Sequence, residues 1–179
     1  CWLAGGLPEE IPGTTVDRQC GSSQQAVHFA AQGVMSGTQD VVIAGGVQNM
    51  TMIPIAAAMM VAKEYGHSDP FSGSKGWTER YGKQIVSQFA AAEMIAHKYE
   101  ITREDMEQLA FESHRRAIHA IDEGRFNNEI VAYGDFTTDE GPRRGTTMEK
   151  MAELKTLAEG GRITAATASQ ISDGAAALL

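Results

Sequence analysis

An α/β protein is what the sequence predicts: a buried helix on a mostly parallel sheet, with a largely helical excursion inserted between sheet-forming stretches. Three observations carry this. The first fifty residues read strand, apolar helix, apolar strand, a right-handed βαβ unit by default. Residues 87–124 hold two helical patterns with their own start and stop signals. Apolar β-type sequence then returns at Ile163–Ala168 and after the Asp173-Gly174 turn.

Taken in order, Cys1 to Gly13 reads as a short helix end and a loop punctuated by Pro8 and Pro12. Thr14-Thr15-Val16, β-branched and preceded by glycine, reads as a short strand. A helix of about fourteen residues opens at Gly21-Ser22-Ser23 and stops near Ser36, with Gly37 suited to the C′ position. Its apolar residues, Ala26 through Met35, cover most of the circumference, so it is expected to be buried; Gln25, His28 and Gln32 form one polar stripe. Val41-Val42-Ile43-Ala44 reads as a strand covered on both faces. Residues 48–87 lack clear periodicity apart from a short helix near Ala56–Lys63. Helices follow at Ser87–Tyr99 and from Thr102, where Asp105 completes a capping box. Met106, Leu109, Ala110, Ala117 and Ile121 supply the buried face of the latter, and Gly124 ends it. Ile130–Tyr133 reads as a brief strand and Thr147 to Ala158 as a last helix.

The chain has 179 residues, 42% of them hydrophobic and 21% charged, which excludes a disordered tail or a disulfide miniprotein. Its 23 acidic against 15 basic residues give a net charge of −8, which argues against nucleic acid and anionic membrane as partners. No apolar run reaches the length of a membrane span. Two cysteines point to a reducing compartment, and a cytoplasmic location is the default expectation. A start at Cys1 and a stop inside the apolar run Ala175–Leu179 are expected of an internal piece of a longer protein.

Cys20 is the sharpest candidate for chemistry. It stands between a strand and a helix start, flanked by Gln19, Gly21 and Ser22. Unpaired N–H groups and the positive end of the helix dipole favour a thiolate there, the nucleophilic form. Its own N–H is placed to help stabilise an oxyanion. The alternative is a buried structural cysteine. His114 and His119 are five apart, which is not metal-ligand spacing, and no metal site is expected. His28 reads as a hydrogen-bonded core histidine. Arg143-Arg144 is either an anion grip or a solvated basic pair.

Val16-Asp17-Arg18-Gln19-Cys20-Gly21-Ser22-Ser23, running on to Asp40–Met50, resembles the nucleophilic-cysteine segment of the thiolases. Ala92-Glu93, Gly124-Arg125-Phe126 with Glu129-Ile130-Val131, and Ile163-Thr164-Ala165 through Ser169 to Asp173–Ala176 extend the resemblance over the whole chain in family order. It implies a thiolase-like fold, here incomplete. Residues 1–48 would be part of the N-terminal domain, 49–160 the inserted loop domain, and 161–179 the return to the first domain and the start of the second half. It implies that Cys20 accepts an acyl group, that Arg143 lies near the adenine of coenzyme A, and that Ala165, Ala168 and Ser169 line the pantetheine tunnel. Coenzyme A would be a co-substrate rather than a bound cofactor, CoA thioesters the partners, and the full-length protein a homodimer or homotetramer.

The same resemblance implies thiolytic cleavage of 3-ketoacyl-CoA to acetyl-CoA and a shortened acyl-CoA, in lipid degradation. The family's activating histidine in Gly-His-Pro, its second cysteine and its water-positioning asparagine are not in this chain, so the piece alone is expected to be inactive. Ser87-Gln88-Phe89 stands where short-chain biosynthetic members have His-Met-Gly, and Thr167, Lys150 and Ala158 also depart from the pattern. These departures favour longer or bulkier substrates over acetoacetyl-CoA. The alternatives are an acetoacetyl-CoA-forming acetyltransferase and a non-catalytic acyl-CoA-binding relative; retention of Cys20 separates an enzyme from the latter.

Overall fold

The computed structural model describes residues 2–67, 70–71, 73–84 and 86–179, so Cys1 lies outside the described residues. Among them are helices α1 (Ser22–Met35), α2 (Ala57–Met60), α3 (Lys75–Tyr81), α4 (Gln88–Lys98), α5 (Arg103–Asp122) and α6 (Met148–Ala152), and strands β1 (Ala44–Gln48) and β2 (Gly174–Leu178). The chain divides into two compact units, Cys1–Val61 with Ile171–Leu179, and Ala62–Gln170. No helix among the described residues is long and apolar enough to cross a membrane.

In the first unit α1 packs on β1, which pairs antiparallel with β2 from Ala44↔Leu178 to Gln48↔Gly174. A side chain at Gly45 would meet the Ala176 carbonyl at 3.0 Å, so glycine lets these strands close. Asp173 caps the segment after β1 by accepting the Met50 N–H at 2.7 Å. The helix stop is as the sequence reads. Gly37 takes φ +72°, its N–H donates to the Val34 carbonyl, and the Thr38 N–H donates to the Gly33 carbonyl, a complete Schellman motif.

Three expectations for this unit change. Thr14–Val16 is not a strand, because no chain segment offers it a ladder among the described residues. The strand after α1 begins at Ala44 rather than Val41, since β2 supplies only five pairing positions. α1 has no buried residue in this chain: Phe29 is 52% and Met35 87% exposed. The physical reason is that its neighbours are β1 and the short 3-10 turn at Gln19–Gly21, which leave its other faces bare. The sheet of the described residues is the single antiparallel pair.

The second unit is organised by polar anchors. Ser87 caps α4 and Thr102 caps α5, with the expected capping box: the Thr102 hydroxyl accepts the Asp105 N–H while the Asp105 carboxylate accepts the Thr102 N–H. Hydrogen bonding to Thr102 holds the Asp105 carboxyl below its ordinary range. Gly124 ends α5 at φ +69°, as expected. Ala96, Met151 and Ile163 are its buried apolar residues, joined by buried Thr164 and Glu107. Arg103 ties α5 to α6. Its Nε donates to Glu107 at 2.6 Å, and its Nη2 donates to the carbonyls of Met151, Ala152 and Leu154.

α6 stops at Ala152 instead of reaching Ala158: its Met151 carbonyl accepts the Leu154 N–H in a tightened last turn, and the Arg103 guanidinium takes the carbonyls of Ala152 and Leu154. Leu109 is 74% exposed although expected inside. It lies two residues, about 200° of helix rotation, from buried Glu107, so the inward stripe follows Glu107. The segments expected as strands at Ile130–Tyr133 and Ile163–Ala168 reduce to single bridges, Tyr133↔Phe136 and Thr156↔Thr164. α3 was not foreseen; its signals are Ser74, whose hydroxyl accepts the Trp77 N–H, and Gly82 at φ +69°.

Candidate active site

Cys20 is exposed and free, on the 3-10 turn that leads into α1. The chain is turned sharply there. Gln19 adopts φ +50°, a left-handed conformation that a non-glycine residue rarely takes. Four local bonds hold it. Asp17 accepts the Gln19 N–H at 3.0 Å. The Ser22 hydroxyl accepts the Arg18 N–H at 2.8 Å and donates to the Gln19 carbonyl at 2.6 Å. The Gly21 N–H closes back on the Arg18 carbonyl at 3.1 Å. The result is a thiol on an exposed turn at the start of a fourteen-residue helix, with peptide N–H groups around it. The alternative of a buried structural cysteine does not hold in this chain.

Behind the turn lies a recess of about 390 Å³ lined by Arg18, Gly21, Gln24, Gln25 and His28. Arg18 donates from Nη1 to the Gln25 amide oxygen, which joins the turn to the second turn of α1. His28 is exposed on this recess rather than in a core, because α1 itself is exposed.

The other residues singled out lie in the second unit. Arg143 and Arg144 do not act as a pair. Arg144 makes a two-pronged ion pair with Asp122, and that contact holds the Asp122 carboxyl below its ordinary range. Arg143 is exposed and its guanidinium makes no ion pair among the described residues, while its backbone N–H donates to His114 Nδ1 at 3.2 Å. Of the two arginines, Arg143 is the one whose guanidinium has no carboxylate beside it among the described residues.

Ala165 and Ser169 are exposed and Ala168 is half-buried, on a turn built around Thr164, which has no exposed surface. Thr164 accepts from Ala166 at its hydroxyl and from Ala168 at its carbonyl. The Gln170 side chain lies against Gly141, which brings the end of this turn to the Arg143 loop. Sequence reading missed what fixes it: Glu93 accepts the N–H groups of Arg162 at 2.6 Å and Ile163 at 2.9 Å. Its signals were a carboxylate after the apolar run Ala90-Ala91-Ala92 and the place of Ala92-Glu93 in the resemblance, neither of which names its partner.

The model of the thiolase N-terminal domain family matches residues 1–179. A steroid 3-ketoacyl-CoA thiolase of Mycobacterium tuberculosis is 57% identical over 182 residues, covering 99% of this chain and 44% of that protein. A 3-ketoacyl-CoA thiolase of Psychrobacter cryohalolentis is 37% identical over 188 residues, covering 99% and 45% respectively. Among solved structures, the dimeric peroxisomal thiolase of Saccharomyces cerevisiae superposes with a TM-score of 0.73 at 30% identity, over 98% of this chain and 44% of that one. An acetyl-CoA acetyltransferase from Syntrophomonas wolfei gives 0.71 at 35% identity, over 98% and 46%. The chain spans a little under half the length of the curated relatives it matches.

Proposed function

The chain belongs to the thiolase family, as its N-terminal domain, and on that premise we propose that the protein carrying it is an acyl-CoA acyltransferase that cleaves 3-ketoacyl-CoA. The observation that supports this is Cys20, exposed on a strained turn at a helix start. Its thiolate attacks the 3-keto carbon and the carbonyl electrons move to oxygen, where peptide N–H groups of the turn stabilise the charge. Collapse breaks the bond between C2 and C3. The two-carbon fragment leaves as an enolate, takes a proton and departs as acetyl-CoA. The acyl group remains on Cys20 as a thioester until the thiol of a second CoA attacks it and restores the free cysteine. The group that takes and returns these protons is assigned to none of the 179 residues.

Arg143 is proposed to contact the nucleotide of CoA, supported by its unpaired guanidinium. Ala165, Ala168 and Ser169 are proposed to line the pantetheine path: small residues on a rigid turn leave room for a thin chain. Residues 49–160 are read as a loop domain inserted into an otherwise mostly parallel sheet architecture, between 1–48 and 161–179. Substrates bulkier than acetoacetyl-CoA are favoured by Ser87-Gln88-Phe89 and Thr167, and by the name of the 57% identical relative. A homodimer or homotetramer in the cytoplasm is the proposed state; the yeast neighbour is dimeric.

The test is mass spectrometry of the complete protein after brief exposure to a series of 3-ketoacyl-CoA thioesters. An acyl group on Cys20, absent in Cys20→Ser with turnover down more than about 10³-fold, is expected. No adduct on Cys20 across the series points instead to an acyl-CoA-binding protein. Arg143→Ala is expected to raise the KM for CoA roughly tenfold and leave kcat nearly unchanged.

A further inference from the structure

We infer that His114 is a positioning residue for coenzyme A: from α5 it holds the loop that presents Arg143, and it acts on CoA through that arginine. This role rests on Arg143 as the nucleotide contact proposed above.

Arg143 is fixed at both of its own peptide groups. Its N–H donates to His114 Nδ1 at 3.2 Å, and its carbonyl accepts the Thr146 hydroxyl at 3.1 Å. The residues beside it are tied down as well. The Gly141 N–H donates to Asp139 at 2.8 Å, Arg144 is paired with Asp122 of α5, and Lys150 Nζ donates to the Gly145 carbonyl at 2.8 Å. Among the described residues, then, the bonds of Arg143 are made by its backbone, and its guanidinium is left without a carboxylate. An arginine presented in this way has less loop freedom to lose when an anion meets its tip.

These bonds divide by reach. Asp139, Thr146 and Lys150 lie within five residues of the groups they hold, so they shape the loop without locating it. His114 and Asp122 join it to α5, across 29 and 22 residues of chain. Asp122 holds the neighbour, Arg144, whereas His114 holds Arg143 itself. A peptide N–H can only donate, so Nδ1 accepts here and the ring proton sits on Nε2. His114 therefore supplies an acceptor to the loop and adds no charge of its own. The other histidine of the helix, His119, has a separate partner in Glu123 at 3.1 Å.

The experiment measures thiolysis and the equilibrium binding of CoA with the complete protein. His114→Ala is expected to raise the KM and Kd for CoA about three- to tenfold, the loss of one hydrogen bond, with kcat at saturating CoA nearly unchanged. His114→Asn puts an amide oxygen where Nδ1 stands and should restore the affinity. In an Arg143→Ala background His114→Ala should add less than about twofold, because the group it acts through is gone. Unchanged affinity in His114→Ala, no recovery in His114→Asn, or a full second loss in the double variant overturns the inference. If His114→Ala does not fold, His114→Leu, bulky and without an acceptor, takes its place in the same comparisons. Weaker binding in Arg143→Ala beside none in His114→Ala removes the positioning role alone. Unaltered binding in Arg143→Ala removes the nucleotide contact and the positioning role together. The Kd requires no turnover, so neither result depends on Cys20.

Discussion

Cys20 sits on a turn held by bonds that reach no further than seven residues along the chain, whereas the segment carrying Ala165, Ala168 and Ser169 is held across about seventy. Among the described residues the first unit has one buried residue, Ala44, and leaves Phe29, Val34, Met35 and Val47 exposed. The second unit buries Ala96, Met151, Ile163, Thr164 and Glu107 and links distant segments through Arg103, Glu93 and Asp122. The contrast teaches that the Cys20 turn is a locally encoded object and needs little else to form. The CoA-binding turn, as proposed, exists only because distant polar groups meet.

If that contrast is right, the greatest loss comes from Arg103→Ala. It strands a nearly buried Glu107 without its cation and frees three carbonyls, so unfolding by denaturant should show a loss of about 3–5 kcal/mol. A smaller but distinct loss, about 1–3 kcal/mol, is expected for Glu93→Ala, which deprives two part-buried N–H groups of their acceptor. Hydrogen exchange at Arg162 and Ile163 should rise with it. Thr102→Ala removes one cap of α5 and should cost about 1 kcal/mol. Ser22→Ala in the first unit should cost no more than about 1 kcal/mol; a loss equal to that of Arg103→Ala would erase the contrast.

Acid sharpens the same comparison. Hydrogen bonds from Arg115 and Arg116 hold Glu112 down to about 2, and Arg144 holds Asp122 below its ordinary range. A carboxylate whose pKa is depressed on folding stabilises the fold above its unfolded pKa, and that contribution drains away as pH falls through the folded value. Amide protection along α5 should therefore fall as pH drops from 4.5 towards about 2. Asp122 is exposed and Glu112 only partly covered, so the effect is small and should shrink further in high salt. Separately, the isolated 179-residue chain should self-associate through its uncovered apolar faces, as light scattering after size exclusion would show. A monodisperse, cooperatively melting monomer would contradict this.

Much of this was readable without coordinates where the determining groups are neighbours in sequence. The bounds of α1 and α5 follow from Gly37, Gly124 and the Thr102–Asp105 box, because a helix end is settled by the few residues that satisfy its orphan N–H and C=O groups. At the Cys20 turn the helix start at Gly21-Ser22-Ser23 was readable in the same way, whereas the left-handed Gln19 and its bond to Asp17 were not. The strand after the Asp173-Gly174 turn forms as expected, but the others were misplaced, since a β-strand exists only where another supplies its ladder: Thr14–Val16 has the composition and no partner among the described residues, Ala44–Gln48 has glycines and a partner. The burial of α1, read from an all-round apolar pattern, also depends on what packs against it, and among the described elements β1 and a short turn are its main neighbours. That Arg144 is paired and Arg143 is not, and that Glu93 and Arg103 organise the second unit, was decided by tertiary contacts alone. A long side chain's partner is chosen by which distant backbone reaches it, and no local pattern encodes that distance.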